Sequence, residues 1–359
     1  MKKRNEIINP AKVIEMQEKL IDWYEKNHRQ LPWRETRNPY YIWISEVMLQ
    51  QTRVDTVIDY YNRFIHQFPT IKDLAESHEE VVLKSWAGLG YYSRAKRIHQ
   101  TAKIILEKYK GRFPQNYEDI LALPGIGPYT AGAIASIAFH QPVPAVDGNV
   151  MRVFSRVFYI REDIVLGSTQ RHMQEIGRQV VSQKNPSFYN QGLMELGALI
   201  CTPISPKCLA CPLFDLCSAR ELGVQEELPI KQKKPKQKKI AMEMALVYKG
   251  EKILITKRPR DGLLADLWAL PSIEKEESFQ PGKTIQIELQ ETYGMQVTKS
   301  TYLLEKPHVF THIKWHMRLY KMKLLNEREI DYPQIQWVDK SQLNEYPIAK
   351  AFTKLILPS

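Results

Sequence analysis

The spacing of apolar residues divides the chain into two parts. From about residue 11 to 220, apolar positions recur at helical spacing, and proline and glycine separate the segments. This pattern predicts helices over the following segments: Val13–Trp23, Ile42–Tyr61, Val81–Trp86, Ala95–Tyr109, Ile120–Leu123 and Ala131–Phe139. The first part of the chain is therefore predicted to be all-α.

The pattern changes after residue 240, where apolar and polar residues alternate over short segments. Alternation predicts strands at these positions: Ala241–Tyr248, Ile253–Lys257, Val297–Leu304, Ile313–Leu325 and Ile335–Val338. Helical spacing returns in Ile285–Tyr293 and near the end of the chain, at Ile348–Leu357. The second part is therefore predicted to be a mixed α+β domain.

A lysine-rich segment, KQKKPKQKK at residues 231–239, lies between the two parts. Lysines interrupted by a proline cannot pack a core, so the segment is predicted to be a linker. The predicted boundaries are a helical domain over residues 1–225, a basic linker over 226–240 and an α+β domain over 241–359.

Composition adds a candidate partner. The chain has 359 residues, of which 43% are apolar, and a net charge of +11. A positive excess favours a polyanion such as nucleic acid, although an ordinary solvated surface also explains it. No apolar run approaches the ~20 residues of a membrane span, and the first residues lack the apolar stretch of a signal peptide. We expect a cytoplasmic or nucleoid-associated protein without a membrane segment.

All the cysteines of the chain lie in one short segment, at Cys201, Cys208, Cys211 and Cys217. A cytosolic chain keeps its thiols reduced, which argues against disulfides. Four thiolates suit either zinc or a [4Fe-4S] cluster. Structural zinc usually shows two closely spaced cysteine pairs, and only one pair is present here. The spacing therefore favours a [4Fe-4S] cluster over zinc, and either metal over buried free thiols.

A second motif is LALPGIGPYTA, at residues 121–131. Gly125 and Gly127 allow a tight turn after one helix, and Pro128 suits the first position of the next. The exposed backbone N–H groups at such a helix start can bind a phosphate oxygen. An ordinary corner between two helices remains an alternative for this motif taken alone.

Two carboxylates accompany these motifs. Asp147 lies at the predicted start of another helix, where helix capping alone would explain it. Glu46 lies among apolar residues in YIWISEVMLQQT, residues 41–52. Burial would raise the pKa of Glu46 and keep it protonated, as a general acid requires. A surface glutamate paired with Arg34 or Arg53 is the alternative.

The hairpin, the aspartate and the four cysteines follow in an order that resembles the helix–hairpin–helix DNA glycosylases, in particular their iron–sulfur branch. The resemblance covers about residues 10–220 and implies that the hairpin grips the DNA backbone while Asp147 works at the sugar. Bifunctional members of that branch have a lysine at the position of Tyr129, and the lysine cuts the strand through a Schiff base. A phenol cannot form that imine, so the chain is expected to be mainly monofunctional.

Residues 41–52, together with LPWR at 31–34, GLGYYSR at 88–94 and NQGLMELG at 190–197, resemble the adenine-specific mismatch glycosylases of the MutY family. This resemblance implies excision of adenine opposite 8-oxoguanine, or more weakly opposite guanine, from double-stranded DNA. It implies these catalytic roles: Glu46 protonates N7 of adenine, Asp147 stabilises or briefly bonds the sugar cation, and Asn149 and Tyr129 orient the carboxylates.

The same resemblance assigns further residues to the DNA. The adenine pocket is expected to contain Trp33, Arg34 and Gln191. The residues expected to contact or wedge into the duplex are Gln51, Thr52, Leu89, Tyr91, Gly125 and Gly127. Plain packing is the alternative for Trp33 and Tyr129, and packing at a helix end is the alternative for Gln51, Leu89 and Tyr91. The cluster is expected to hold a basic loop against the DNA.

The α+β part resembles a degenerate Nudix, or MutT-like, domain. Its box reads IELQETYGM at residues 287–295, where Ile287 replaces an arginine and Thr292 replaces a glutamate. Loss of this carboxylate removes a ligand for a divalent cation, so hydrolysis that depends on such a cation should be largely lost. The matching domain of the MutY family recognises 8-oxoguanine through a Phe-Ser-His loop, which implies that role for three residues here: Phe310, Thr311 and His312.

The sequence therefore predicts a monomeric adenine glycosylase with a helical helix–hairpin–helix domain, a [4Fe-4S] loop and a Nudix-like reader domain. An endonuclease III-like glycosylase and lyase is the nearest alternative. A non-catalytic iron–sulfur DNA-binding protein and an active Nudix hydrolase with a helical appendage are the others.

Overall fold

The computed structural model describes residues 8–232, 237–275, 283–326 and 332–356. The chain forms two compact units. The first consists of Met1–Glu76 and Arg97–Lys233, and the second of Ser77–Lys96 and Lys234–Ser359. Within the described residues, no helix has both the length and the apolar character that a membrane span needs.

The part of the chain before the linker is helical. Its helices are α1 (Pro10–Asn27), α2 (Pro39–Leu49), α3 (Val54–Gln67), α4 (Ile71–Glu76), α5 (Glu79–Ser85), α6 (Ser93–Tyr109), α7 (Tyr117–Leu121), α8 (Pro128–Phe139), α9 (Gly148–Val157), α10 (Gly167–Val180), α11 (Pro186–Leu199) and α12 (Ser218–Glu221). Helices α1, α2 and α11 each begin with a proline after an asparagine whose side chain accepts a backbone N–H. Both features favour helix initiation.

The single helix predicted over Ile42–Tyr61 was wrong. Helix α2 ends at Leu49, and α3 begins at Val54. The break occurs at Gln51, whose φ of 60° lies in the left-handed region. Apolar spacing continues across the break, and neither glycine nor proline marks it, so periodicity alone merges the two helices.

Two glycines let backbone segments approach closely near the start of α9. A Cβ at Gly132 on α8 would lie 2.1 Å from the carbonyl oxygen of Pro144, and one at Gly197 on α11 would lie 2.7 Å from Cβ of Asn149. Only glycine permits these approaches, so α8 and α11 fix the segment that carries Asp147. The core around α9 includes Met16, Leu20, Val150, Phe154 and Leu213.

The second unit contains a mixed sheet. Its strands are β1 (Lys238–Lys249), β2 (Lys252–Lys257), β3 (Trp268–Ala269), β4 (Ser272–Lys275), β5 (Thr301–Val309), β6 (Ile313–Lys323) and β7 (Ile335–Val338). The strand order is β3-β2-β1-β6-β5, with β4 on β1 and β7 on β2. Strands β1 and β6 are parallel, and the other pairs are antiparallel. Helices α13 (Lys283–Tyr293) and α14 (Lys350–Ile356) complete the unit.

Two boundaries in this unit differ from the predictions. Strand β1 begins at Lys238, inside the predicted linker, because its first residues pair with Ile313 and its neighbours on β6. Residues 233–236 of the predicted linker lie outside the described residues. The strand predicted over Val297–Leu304 is observed at Thr301–Val309. Most β5 side chains are exposed, so strict alternation does not mark its ends. The predicted fold class, helical and then α+β, is confirmed.

Candidate active site

Glu46 and Tyr129 meet inside the first unit. Glu46 is on α2 and only 5% exposed. Tyr129 is the second residue of α8, and its hydroxyl donates a hydrogen bond of 2.5 Å to Oε2 of Glu46. The alternative of a surface glutamate does not describe this position. Tyr129 is neither solvent-exposed nor a purely apolar packing residue, because its phenol contacts the carboxyl group.

The pKa of Glu46 is raised to about 7, chiefly by burial. The charge of Asp147 contributes to this rise, whereas the hydrogen bond from Tyr129 opposes it. The pKa of Tyr129 is well above its ordinary value because burial and both carboxylates disfavour the phenolate. Tyr129 therefore remains a donor, and a large fraction of Glu46 is protonated near neutral pH. The mutual influence of Glu46, Tyr129 and Asp147 means that the three groups share one electrostatic environment.

Asp147 caps helix α9. Its Oδ1 accepts the backbone N–H of Val150 at 2.8 Å, and its Oδ2 accepts Nδ2 of Asn149 at 3.0 Å. Burial raises the pKa of Asp147, whereas these hydrogen bonds and the charge of Arg152 oppose that shift. Asp147 therefore does act as a helix cap, as the alternative expected. The same hydrogen bonds hold its carboxylate in one orientation.

Arg152 extends this network and was missed by the sequence analysis. It donates to Oδ1 of Asn149 at 3.0 Å and to the carbonyl of Gly197 at 2.7 Å. Its Nε donates to the carbonyl of Cys201 at 2.7 Å. In the sequence, its contact with Asn149 is indicated only by the spacing of three residues on a predicted helix, which places the two side chains on the same face.

The predicted pocket residues Arg34 and Gln191 lie around Tyr24. The guanidinium of Arg34 lies 5.7 Å from the Tyr24 ring centroid, and the Tyr24 hydroxyl donates to Oε1 of Gln191 at 3.0 Å. Trp33 is buried against the ring of Tyr61, with centroids 5.3 Å apart. The structure brings Arg34 and Gln191 together, whereas the surroundings of Trp33 are those of a core residue.

Arg34 also belongs to an ion-pair network around the fully buried Glu195. Glu195 on α11 accepts Nε and Nη2 of Arg29, both at 2.8 Å, and Nη2 of Arg34 at 2.5 Å. Burial opposes ionisation of Glu195, but the two guanidinium groups outweigh it and lower its pKa to about 2. Sequence reasoning missed this network because Glu195 lies more than 160 positions from either arginine.

The predicted DNA-contacting residues of the first unit lie on two turns. Gln51 is exposed at the break between α2 and α3, and Thr52 follows it. Gly125 has a φ of 76°, and a Cβ there would lie 2.9 Å from the side chain of Arg97. Gly127 caps α8 with a φ of −96°, and its Cβ position is open. Glycine is therefore sterically required at Gly125 but not at Gly127.

The remaining predicted contacts belong to the second unit. Leu89 is buried, as the packing alternative expects, whereas Tyr91 is 46% exposed. Phe310, Thr311 and His312 form the turn between β5 and β6. The hydroxyls of Tyr91 and Thr311 share a hydrogen bond of 2.7 Å, and the Phe310 ring packs edge-on against Trp315, 4.7 Å between centroids.

The four cysteines lie together after α11. Cys201 follows α11, Cys208 begins a 3-10 turn that Cys211 follows, and Cys217 precedes α12. Their sulfurs line one cavity with Val153, Arg156 and Leu213, among others. The pKa of Cys211 is raised to about 12, chiefly by burial and in part by the neighbouring thiolates. A bound cation would relieve both effects, so the donor set fits a multinuclear metal centre.

Comparison with known proteins agrees with this geometry. Residues 44–181 match the model for HhH-GPD superfamily base excision DNA repair proteins, residues 201–217 the iron–sulfur binding domain of endonuclease III, and residues 243–357 a NUDIX domain. The adenine DNA glycosylase of Rattus norvegicus is 34% identical, over 96% of this chain and 78% of its own length. The adenine DNA glycosylase of Homo sapiens is 35% identical, over 96% of this chain and 74% of its own length.

The chain belongs to the MutY family of adenine DNA glycosylases. It is therefore a DNA N-glycosylase of the HhH-GPD superfamily, and its four cysteines are the ligand set of a [4Fe-4S] cluster.

Solved structures show the same helical fold. A thermostable thymine-DNA glycosylase is 30% identical and covers 59% of this chain and 98% of its own, with a TM-score of 0.54. An endonuclease III trapped as a covalent intermediate with DNA is 24% identical. The match covers 60% of this chain and 99% of that chain, with a TM-score of 0.52. The helical glycosylase domain of this MutY-family chain is therefore the common fold of the superfamily.

The Nudix-like domain of this family member has a damaged box. Thr292, at the position of a box glutamate, donates its hydroxyl to Oε1 of Glu288 at 2.8 Å. Ile287, at the position of the box arginine, is 45% exposed. Glu288, a box carboxylate that remains, is thus hydrogen-bonded to the residue that replaces another box glutamate. The box therefore lacks a complete set of carboxylate ligands for a divalent cation.

Proposed function

We propose that the chain is a monofunctional glycosylase that hydrolyses the N-glycosidic bond of adenine paired with 8-oxoguanine, and more slowly of adenine paired with guanine. The substrate is double-stranded DNA, and the protein acts as a monomer in the cytoplasm. The single observation that carries the reaction is the hydrogen bond of 2.5 Å between Tyr129 and a buried Glu46 whose pKa is about 7.

The chemistry requires a proton donor and a separate anion. Adenine leaves poorly until a ring nitrogen is protonated, and its departure leaves positive charge on the sugar. Glu46 is protonated in a large fraction of molecules near neutral pH, and Tyr129 occupies Oε2, which leaves Oε1 to carry the proton. This arrangement suits a general acid at N7 of adenine.

Asp147 supplies the anion. Its two oxygens accept Val150 and Asn149 at the start of α9, which favours the carboxylate form. An ionised carboxylate stabilises a cationic sugar or bonds to it briefly, as in glycoside hydrolysis. Tyr129 cannot form a Schiff base, so the strand stays intact after the base has left.

The adenine must leave the duplex before it can be protonated, which costs a few kcal/mol. We assign Gln51 and Tyr91 as wedges, since both are exposed at positive-φ turns. Thr311 lies at the tip of the β5–β6 turn. We assign its hydroxyl to the modified guanine in the DNA strand opposite the adenine, to which it can donate or from which it can accept a hydrogen bond.

The test uses a duplex with one 8-oxoguanine:adenine pair and a labelled adenine strand. We expect strand cleavage at the adenine only after hot alkali. Glu46→Gln and Asp147→Asn should each lower the single-turnover rate by roughly 10²-fold or more. Glu175→Gln is the matched control, because that glutamate is exposed and its ion pair is with Arg178, an i,i+3 neighbour on the same helix. Cleavage without alkali would contradict the monofunctional reaction, and full activity of Asp147→Asn would contradict the role assigned to Asp147. Failure of the parent protein to excise adenine would favour a non-catalytic DNA-binding role.

A further inference from the structure

Arg156 is a completely buried cation beside the cysteine loop. It lies on α9 and is only 1% exposed. Its Nη1 donates to Sγ of Cys201 at 3.2 Å and to the carbonyl of Thr202 at 2.8 Å. Its Nη2 donates to the carbonyl of Pro203 at 3.2 Å, and its Nε to that of Leu228 at 3.0 Å. One guanidinium therefore spans the loop that carries the first cysteine and the segment after α12.

Within the described ranges of the chain, the charge of Arg156 has no carboxylate partner. Among the residues that the structure describes, none of its contacts is to Asp or Glu; one is to sulfur and three are to carbonyls. Of the guanidinium groups near the active site, Arg152 interacts electrostatically with Asp147, and Arg34 pairs with Glu195. Burial of a lone cation is costly unless an anion compensates it.

The cysteine centre supplies that anion once iron is bound. Four thiolates outweigh the positive charge of an iron–sulfur core, so the loaded centre is negatively charged. Arg156, Cys201 and the other three cysteines line the same cavity. The unpartnered Oε1 of Gln225 also lines it, and a half-turn of that amide would direct its N–H groups at the centre instead.

We propose that Arg156 is the resident counter-ion of the iron–sulfur centre, and that it stabilises the bound cluster by charge as well as by its hydrogen bond to Cys201. A fixed cation beside the cluster favours the more negative, reduced state and so raises its reduction potential. The same cation retains the cluster when a chelator competes for iron. This role is independent of the DNA substrate.

The experiment compares Arg156→Gln, which removes the charge, with Arg156→Lys, which keeps it. Arg220→Gln is the matched control, since Arg220 also lines the cavity but is 31% exposed, contacts the carbonyl of Phe214, and is screened by water. Measurements on the purified full-length protein are iron per chain, the decay of cluster absorbance in a chelator, and the midpoint potential at an electrode.

We expect Arg156→Gln to lose iron roughly 10- to 100-fold faster than the parent and to have a lower potential. Arg156→Lys should keep the parent potential, and Arg220→Gln should match the parent in both measurements. A parent-like potential and iron-loss rate in Arg156→Gln would overturn the proposal. So would a potential in Arg156→Lys as low as that of the glutamine variant. If the glutamine variant does not fold, the lysine variant decides alone: a lowered potential there refutes the role of charge.

Discussion

Glu46 is expected to destabilise the protein, and its replacement by glutamine should make the inactive variant more stable. The ordinary pKa of 4.5 rises to about 7 in the folded chain because the carboxyl is buried. Below pH 4.5 the group is protonated in both states and contributes nothing. As the pH rises from about 4.5 to about 7, the unfolded chain releases the proton while the folded chain keeps it, so stability falls.

The magnitude follows from the two pKa values. A rise from 4.5 to about 7 corresponds to about 3 kcal/mol, at about 1.4 kcal/mol for each pKa unit. Glutamine has the same shape and can still accept the Tyr129 hydroxyl. We therefore expect Glu46→Gln to gain up to about 3 kcal/mol above pH 7 and nothing at pH 4. The assay is unfolding by urea at several pH values, followed through the cluster absorbance, which reports the first unit.

Glu195→Gln is the control, because it should lower the free energy of unfolding where Glu46→Gln raises it. Arg29 and Arg34 lower the pKa of Glu195 to about 2 despite its burial, so its ionised form stabilises the fold at all pH values above about 4.5. Removal of this buried partner should cost about 3–5 kcal/mol at pH 7. If Glu46→Gln were no more stable than the parent at pH 8, or equally stabilised at pH 4, the assignment of a buried, protonated Glu46 would be wrong.

Further changes test the acid, the reader loop and the hairpin. In Tyr129→Phe the hydrogen bond that lowers the pKa of Glu46 is lost, so the alkaline fall of the single-turnover rate should move up by about 1–2 pH units; an unshifted profile would exclude this role. Thr311→Val should lower the preference for 8-oxoguanine:adenine over guanine:adenine about tenfold, whereas Thr311→Ser should keep it; equal preference in both variants would contradict the assignment. Gly125→Ala should destabilise the fold by about 1–3 kcal/mol, because its φ of 76° is strained for alanine, whereas Gly127→Ala should be nearly neutral; equal unfolding midpoints would refute the difference.

The sequence was informative wherever local pattern decides the structure. Regular apolar spacing marks α6 and α8, and alternation marks β1 and β7. The break at Gln51 was not predictable, because its left-handed backbone is set by tertiary packing and leaves no glycine or proline in the sequence. The start of β5 was missed for a related reason, since an edge strand with exposed side chains need not alternate.

Within the candidate site, motif reasoning identified the residues that do chemistry but not those that hold them. Glu46 and Tyr129 are in contact, as their proposed roles require. Glu195, Arg152 and Arg156 went unnoticed, because buried ion pairs and carbonyl contacts join distant segments and have no local pattern. Burial of a charged residue is itself the signal, and it becomes visible only in the folded chain.

In Glu46, Asp147 and Glu195, the hydrogen-bond partners rather than the residue types determine the charge of the carboxyl group. Glu195 accepts two guanidinium groups and is ionised. Glu46 accepts one phenol, which stabilises the anion weakly, so the proton stays. Asp147 accepts a backbone N–H and an amide at a helix start, and these hydrogen bonds oppose the rise in pKa that burial causes. Because the phenol of Tyr129 senses both Glu46 and Asp147, ionisation of one carboxyl raises the pKa of the other. The acid and the anion are therefore coupled, and a change that neutralises Asp147 should also lower the pKa of Glu46 and weaken the acid.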